Sequence, residues 1–353
     1  MNIRVPWRVQ TAAYRAYERG CSTLSRIPGK HRSGINISFL CNYQQTTGAT
    51  VAISSIANQL AYQHNVDAHI KPLSGYSRLL SLRVRQRFSV GSLSGHIVFV
   101  DIEQENNTIE RLIDNKKQVV LTCHAFPTKL HSVPQPKLIR NLDLSTHIHF
   151  VSAYQRSEFI RQYPDIDIES KSFVIPNYTR QSQKTTTTNS IGIVGLLNRE
   201  PKKAIRSIQL AQLSNARWIE CWGSDTIHGL DDPGLYSKLR INGWTNSLRK
   251  MHSTFDVLLS TSCSETFGLV VVEALSAGIP CVLSDISVYR ELYSDCEGIA
   301  FLSGNEQQDI TTINQLLGQA KDLKQPVTEF WQNHFSNEVI KSAWLDKITQ
   351  LTT

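Results

Sequence analysis

The most informative stretch of this chain is residues 262–282, which read Ser-Cys-Ser-Glu-Thr-Phe-Gly-Leu-Val-Val-Val-Glu-Ala-Leu-Ser-Ala-Gly-Ile-Pro-Cys-Val. Apolar runs at Phe255–Leu259 and Pro280–Leu283 flank them, so the pattern predicts strand, loop, helix, strand. Glu265 falls in the loop, and Glu273 falls inside the helix, about 12 Å further along its axis. A helix start offers backbone N–H groups that suit a phosphate, whereas carboxylates accept hydrogen bonds from hydroxyls. The segment therefore indicates a ligand with both phosphates and hydroxyls, such as a sugar nucleotide.

The same segment resembles the E-x7-E signature of glycosyltransferase family 4, whose members are retaining enzymes of the GT-B fold. Two acids eight positions apart are common by chance, but the run Glu265–Pro280 follows the family pattern almost residue by residue. The resemblance implies an α/β fold of GT-B architecture, with two Rossmann-like doubly wound parallel-sheet domains facing across a cleft. The alternative is an amphipathic helix whose glutamates are merely solvated.

The chain of 353 residues is long enough for two domains, and strands alternate with helices along it, which is typical of parallel sheets covered on both faces. We predict a basic extension over 1–34, an N-terminal Rossmann-like acceptor-side domain over 35–180, and a polar linker over 181–190. A C-terminal Rossmann-like nucleotide-sugar-binding domain is expected over 191–328. The resemblance implies that a helix over 329–353 returns to the N-terminal domain.

Composition indicates a globular protein, since 41% of residues are hydrophobic and 19% are charged. The seven cysteines are scattered and never form a C-x-x-C pair, so we expect buried thiols in a reducing compartment. No run of about 18 apolar residues is present, and no apolar signal segment opens the chain. We therefore expect a cytoplasmic protein.

Positive charge concentrates in residues 1–34, which hold seven basic side chains against one acid, Glu18, and so account for six of the seven net positive charges. On a helix, Arg4, Arg8, Arg15 and Arg19 form one stripe. Two interpretations stay open: a peripheral contact with an anionic membrane surface at the inner face of the cell membrane, or a basic segment that is solvated or packed on the protein.

The resemblance supplies three catalytic candidates: Glu265, His124 and Lys203. Glu265 and His124, which follows an apolar strand, are expected to contact the transferred sugar. Lys203, or its neighbour Lys202, matches a family lysine that neutralises the donor phosphates.

The sequence departs from the family where an arginine is expected after Gly195, because that position is Leu196. Arg199, three residues further on, could supply the missing cation.

Further candidates follow predicted strands, which is where open α/β sheets bind ligands. The donor-phosphate candidates are Gly48, Thr47, Arg199, Lys202, Lys203, Thr266, Phe267, Gly268 and Leu269. The nucleotide candidates are Glu273, which is expected to accept the ribose hydroxyls, Gly223 and Gly243.

No metal site and no cofactor are expected, since the nucleotide sugar acts as substrate. Asp165-Ile166-Asp167 spells the D-x-D motif of metal-dependent glycosyltransferases, but it follows Pro164 in a polar loop instead of closing a strand. We interpret it as surface loop.

The leading hypothesis is a retaining glycosyltransferase that uses a UDP or GDP sugar and a glycan or lipid-linked acceptor, with a role in cell-envelope polysaccharide synthesis. A non-catalytic sugar-nucleotide-binding protein and a nucleotide-sugar epimerase stay open as alternatives. Nucleic acid is not expected as a partner, because the chain beyond residue 34 is nearly neutral and carries no nucleic-acid-binding motif.

Overall fold

The structure is a computed structural model, and it describes residues 34–40, 48–69, 80, 83–87, 95–127 and 134–352. The chain divides into two compact units. Unit 1 comprises the described residues of Met1–His149, Ile160–Phe173 and Trp344–Thr353, and unit 2 comprises Phe150–Phe159 and Val174–Ala343. Each unit is built on its own sheet.

The first sheet has seven strands: β1 (Asn36–Leu40), β2 (Asn65–His69), β3 (Arg85–Arg87), β4 (Ile97–Asp101), β5 (Gln118–Thr122), β6 (His147–Phe150) and β7 (Ser172–Val174). Their order is β3-β2-β1-β4-β5-β6-β7. Successive strands are added on one side of β1 up to β3 and on its other side from β4 onward, so the strand order reverses between β1 and β4. The central strands are apolar and buried on both faces, which is what a parallel sheet covered by helices requires. The helices along this part of the chain are α1 (Gly48–Leu60), α2 (Asn106–Asp114), α3 (Gln135–Leu144), α4 (Ala153–Gln162) and α5 (Ile168–Lys171). Residues 153–159 of α4 group with unit 2.

The second sheet has six parallel strands: β8 (Ser190–Val194), β9 (Trp218–Trp222), β10 (Leu239–Ile241), β11 (Val257–Ser260), β12 (Cys281–Leu283) and β13 (Ile299–Phe301). Their order is β10-β9-β8-β11-β12-β13, which reverses between β8 and β11. Loops that leave β8 and β11 therefore diverge at one edge of the sheet, which is where open α/β sheets bind ligands.

The helices that follow are α6 (Ala204–Leu213), α7 (Leu248–His252), α8 (Leu269–Leu275), α9 (Ser287–Tyr293), α10 (Glu306–Gln319), α11 (Lys324–Phe335) and α12 (Asn337–Gln350). The single helix expected over 329–353 is two helices, because Ser336 takes an extended conformation between them. The Ser336 hydroxyl accepts a hydrogen bond from the Val339 N–H at 3.4 Å, as an N-cap does. From Trp344 onward α12 groups with unit 1, where the Trp344 ring lies 4.7 Å from the ring of His149.

The two units differ from the predicted boundaries at residues 150–159, 174–190 and 329–343, which group with unit 2. The predicted linker 181–190 is irregular up to residue 189, as expected, but it is not a free tether. Lys184 forms a 2.8 Å ion pair with Asp256, and the Thr188 N–H donates to the same carboxylate at 2.8 Å. Its hydroxyl-rich sequence binds protein groups where the pattern suggested solvent.

Asp256 is the buried acceptor of this segment, with 4% of its surface exposed. Burial raises the pKa of its carboxyl, but hydrogen bonds from Lys184 and Thr188 and the charge of Lys184 outweigh burial and bring the pKa below its ordinary value. Burial also lowers the pKa of Lys184, against the effect of Asp256. We conclude that Asp256 is ionised in the folded protein, since its polar contacts all favour the carboxylate.

Replacing Asp256 with Asn should lower the free energy of unfolding by about 3 kcal/mol, because it leaves the buried Lys184 without its counter-charge. Urea denaturation at pH 7 measures the change. Asp285→Asn is the control, because its pair with Arg290 is half exposed, and it should have little effect. A carboxyl whose pKa is depressed by folding stabilises the protein at pH values above its pKa in the unfolded chain, and that contribution is lost as pH falls. The free energies of unfolding of the wild type and of Asp256→Asn should therefore converge below about pH 4. Equal losses of unfolding free energy in Asp256→Asn and Asp285→Asn would contradict the conclusion that Asp256 holds the segment 181–189 against the protein.

Candidate functional site

The loop after β11 carries Glu265 and is fixed by bonds to its own backbone. The Cys263 N–H donates to the Pro201 carbonyl at 3.0 Å, and the Tyr293 hydroxyl donates to the Phe267 carbonyl at 2.8 Å. The Ser284 hydroxyl donates to the Ser262 carbonyl. These partners come from the loop after β8, from α9 and from the end of β12, so the loop is held from three sides.

Helix α8 begins directly after this loop, as the sequence predicts, and Gly268 precedes it with φ +87°. A Cβ on Gly268 would lie 2.7 Å from the ring of Tyr289, so glycine is needed for conformation and for space. The backbone N–H groups of Phe267, Gly268 and Leu269 donate to no carbonyl or side chain within the described ranges. They are thus open to an acceptor.

Glu265 and Lys202 meet at the point where the strand order of the second sheet reverses. Lys202 ends a 3₁₀ turn, Glu200–Lys202, in the loop after β8, and its Nζ lies 2.5 Å from Glu265 Oε1. The side chains are 22% and 16% exposed, respectively, so their attraction is stronger than that of a surface pair. The pair joins the loops that leave β8 and β11 at the reversal point of the sheet.

Three glycines with positive φ follow the neighbouring strands β8, β9 and β10: Gly195, Gly223 and Gly243. The Gly195 N–H donates to the Trp222 carbonyl at 3.0 Å, and the Gly223 N–H donates to the Gly243 carbonyl at 2.8 Å. A Cβ on Gly223 would lie 2.4 Å from the Gly195 oxygen, and one on Gly195 would lie 3.3 Å from Lys202 Cε. The missing side chains therefore let the ends of these strands and Lys202 pack closely together.

Glu273 lies on α8 and is half-buried. In the part of the chain that the structure describes, its carboxylate forms no hydrogen bond or ion pair. Although solvent still reaches part of the residue, the surrounding protein raises the pKa of its carboxyl to about 7. Such a group is an acceptor that lacks a protein donor, and perturbed carboxyls of this kind are enriched at binding sites.

The two adjacent lysines face different partners. Lys203 takes a left-handed conformation (φ 48°), and its Nζ pairs with Glu200 at the surface. The geometry therefore favours Lys202 over Lys203 as the cation of this site, and a catalytic role of Lys203 stays a prediction. Arg199 is exposed, and its guanidinium has no ion-pair partner among the residues described here.

In unit 1, the structure describes some of the candidate residues and not others. Gly48 begins α1 after β1, whereas Thr47 lies outside the described residues. His124 follows β5, and its ring centroid lies 6.2 Å from that of His149. Burial first, and the neighbouring His149 second, lower the pKa of His124 to about 3, so its ring is neutral at physiological pH. A neutral imidazole can form hydrogen bonds to hydroxyls without carrying charge.

The D-x-D motif lies on the surface, and the Asp167 carboxylate accepts a hydrogen bond from the Ser170 N–H at 3.1 Å as the N-cap of α5. Across the described ranges, no group of three His, Cys, Asp or Glu side chains is placed to hold a metal ion. None of the described helices combines the length and apolar character that crossing a membrane requires. The basic residues 1–33 lie outside the described part of the chain.

Sequence reasoning did not single out Tyr289 and Tyr293, which hold the Glu265 loop from α9. Their spacing of four residues places both on one face of a helix, and that spacing was readable. Their partners, the carbonyl of Phe267 and the open face of Gly268, depend on tertiary structure.

Residues 232–329 match the family model described as "Glycosyl transferases group 1", and the matched segment contains Glu265 and Glu273. No curated protein sequence matches this chain. The sequence thus carries a glycosyl transferases group 1 domain over less than a third of its length.

Solved structures share the fold over nearly the whole chain. Anabaena HepE in complex with UDP-glucose is 14% identical with a TM-score of 0.67, and the similarity covers 89% of this chain and 99% of that one. Sucrose-phosphate synthase from Thermosynechococcus elongatus is 13% identical with a TM-score of 0.70, over 90% and 98%. A glycosyltransferase from Rickettsia africae is 12% identical with a TM-score of 0.68, over 91% and 99%. The predicted α/β architecture of two domains of the GT-B class is confirmed.

Gly223→Ala should destabilise the protein by about 3 kcal/mol, because its Cβ meets a backbone oxygen that cannot move aside. Gly304→Ala is the matched control: Gly304 also has positive φ, but no atom lies within 4 Å of its Cβ position. It should cost about 1 kcal/mol from conformation alone. Urea denaturation measures both, and equal costs would contradict the close approach of Gly223 to Gly195.

Glu273→Gln should stabilise the ligand-free protein by about 2 kcal/mol at pH 8 and have little effect at pH 5. The folded protein retains the Glu273 proton up to about pH 7, whereas an unfolded chain loses it near 4.5. Stability contributed by the protonated acid therefore falls as pH rises between these values, and glutamine avoids that loss. Thermal denaturation at both pH values measures the effect, with exposed Glu297→Gln as control. Stabilisation independent of pH would contradict the raised pKa.

Proposed function

We propose that this protein is a retaining, metal-independent glycosyltransferase of family 4, which moves a sugar from a UDP or GDP sugar to a hydroxyl of a glycan or lipid-linked acceptor. The observation that carries the proposal is the 2.5 Å pair of Lys202 and Glu265 beside bare glycine backbone at the reversal point of the second sheet. It places a cation beside a hydroxyl acceptor, Glu265, which lies in the segment that carries the family match. No cofactor enters the proposal.

Donor binding is assigned to the groups that lack protein partners. The Glu273 carboxylate accepts the two ribose hydroxyls, which supply the hydrogen-bond donors absent around it. The open N–H groups of Phe267, Gly268 and Leu269 face the sugar and its phosphates. The nucleotide is assigned to the strand ends at Gly223 and Gly243, where the absence of side chains lets the backbone pack closely.

The chemistry needs a cation where charge grows. As the bond between sugar and diphosphate breaks, negative charge develops on the departing nucleotide, and Lys202 neutralises it. Arg199, exposed in the same loop, can approach the diphosphate as a second cation. Glu265 accepts hydrogen bonds from hydroxyls of the transferred sugar, and a contact of His124 with that sugar stays a prediction of the family resemblance. The acceptor oxygen forms its bond to the anomeric carbon on the face from which the phosphate departs, so the anomeric configuration is preserved, and the departing phosphate takes the acceptor proton.

The choice of first donor follows from the fold neighbours. Anabaena HepE has been solved with UDP-glucose, and that protein shares this fold. UDP sugars are therefore the first donors to test, followed by GDP sugars. Residues 1–34 would hold a cytoplasmic enzyme at an anionic membrane surface near a lipid-linked acceptor of envelope polysaccharide synthesis, since each cation adds about 1 kcal/mol near such a surface.

A sugar-nucleotide-binding protein without turnover is the second candidate, and Leu196 at the family's arginine position favours it. Thermal-shift screening of UDP and GDP sugars detects binding for both candidates. Release of UDP or GDP in the presence of a glycan acceptor distinguishes the enzyme from the binding protein. Isomerisation of the donor without acceptor would identify an epimerase.

Replacing Lys202 with Met should lower kcat/KM for the donor by about 10²–10³-fold, because the leaving diphosphate loses its neighbouring cation. Lys203→Met is the matched control, since the adjacent lysine pairs with Glu200 at the surface, and it should change kcat/KM by less than about threefold. Initial rates of nucleotide release measure both. A larger loss in the Lys203 variant would contradict the assignment of Lys202.

A further inference from the structure

The start of helix α4 is bound by two side chains from outside the helix's first turn. Glu291 on α9 accepts hydrogen bonds from the Ala153 N–H at 2.7 Å and from the Tyr154 N–H at 2.5 Å. The Ser152 hydroxyl accepts from the Gln155 N–H at 3.1 Å. A carboxylate and a hydroxyl thus satisfy the first N–H groups of the helix, where negative charge is favourable.

Ser152 does more than cap this helix. Its hydroxyl also donates to the Thr266 carbonyl at 2.8 Å, and the residue is completely buried. A serine hydroxyl has one proton to donate, and here that proton is committed to the residue that follows Glu265 in the loop. A structural N-cap does not need this second bond.

Helix α9 reaches the same loop by a second path. The Tyr293 hydroxyl binds the Phe267 carbonyl, and the Tyr289 ring fills the space beside Gly268. Two successive carbonyls, those of Thr266 and Phe267, are therefore fixed by hydroxyls from two different helices. Glu291 also binds α9 to the start of α4, so the loop, α4 and α9 are each hydrogen-bonded to the other two.

We propose that Ser152 and Glu291 are positioning residues, which fix the Thr266 carbonyl and through it the Glu265 carboxylate for sugar transfer. The proposal rests on the proposed glycosyltransferase function for its kinetic consequence. Displacement of a catalytic group by about 1 Å can lower a rate about 10²-fold, so a lost positioning bond should appear in kcat. Ser152 and Glu291 touch neither nucleotide nor sugar in this assignment.

A matched pair of variants separates positioning from capping. Ser152→Ala removes the cap and the bond to the Thr266 carbonyl. Gln155→Ala removes the 3.0 Å bond from the Val151 N–H to Gln155 Oε1, which braces the same helix start without involving Thr266. We expect Ser152→Ala to lower kcat at least about tenfold with less than about threefold change in the donor KM, Gln155→Ala to change kcat less than about threefold, and Ser152→Thr to restore most of the rate. Equal kcat losses in the two alanine variants of matched Tm would overturn the proposal.

A second measurement does not depend on activity. In the peptide 262–271, the Cys263 N–H donates to the Pro201 carbonyl and the Val271 N–H donates to the Gly268 carbonyl. The peptide's hydrogen exchange, followed by mass spectrometry, should be faster in Ser152→Ala and in Glu291→Ala than in Gln155→Ala. Equal exchange in the three variants would overturn the positioning role even if the wild-type protein transferred no sugar. An inactive wild type with faster exchange in the first two variants would refute the proposed function and leave the positioning of the loop intact.

Discussion

The ion pair of Lys202 and Glu265 is the interaction on which the site of unit 2 depends. Both side chains are mostly removed from water, and a charge in that position is costly unless an opposite charge lies beside it. The two residues come from loops after different strands, and they can meet because the strand order reverses between β8 and β11. The fold thus brings together charges that neither loop could bury alone.

The packing of Lys202 also explains why glycines lie at this edge of the sheet. Lys202 runs along Gly195, where a Cβ would already crowd its side chain, and Gly223 leaves no room for one against the Gly195 oxygen. A ligand that carries phosphates and hydroxyls can satisfy lysine and glutamate together. A phosphate alone would compete for Lys202 and leave Glu265 without its partner. The arrangement therefore favours a ligand that presents both kinds of group.

The sequence predicted the Glu265 loop, α8 and the alternation of both sheets, because these features lie in local patterns. It could not choose between Lys202 and Lys203, since the choice depends on the left-handed backbone of Lys203. No local pattern predicts strands β2 and β3, because they are short and partly polar. The segment 181–189 resembled a linker because hydroxyl side chains bind water and protein equally well, and its partner Asp256 is about 70 residues away in sequence.

Glu273 shows that a residue can lower the stability of the free protein and still favour ligand binding. An unpaired carboxyl inside protein is a local violation of the rule that buried polar groups are paired, and its raised pKa reflects that conflict. Because the pKa is about 7, the group ionises near neutral pH, and the ionised form accepts hydrogen bonds at both oxygens. A ligand with two adjacent hydroxyls supplies the missing donors. Such a residue weakens the free protein and strengthens the complex, as expected where binding sets the sequence.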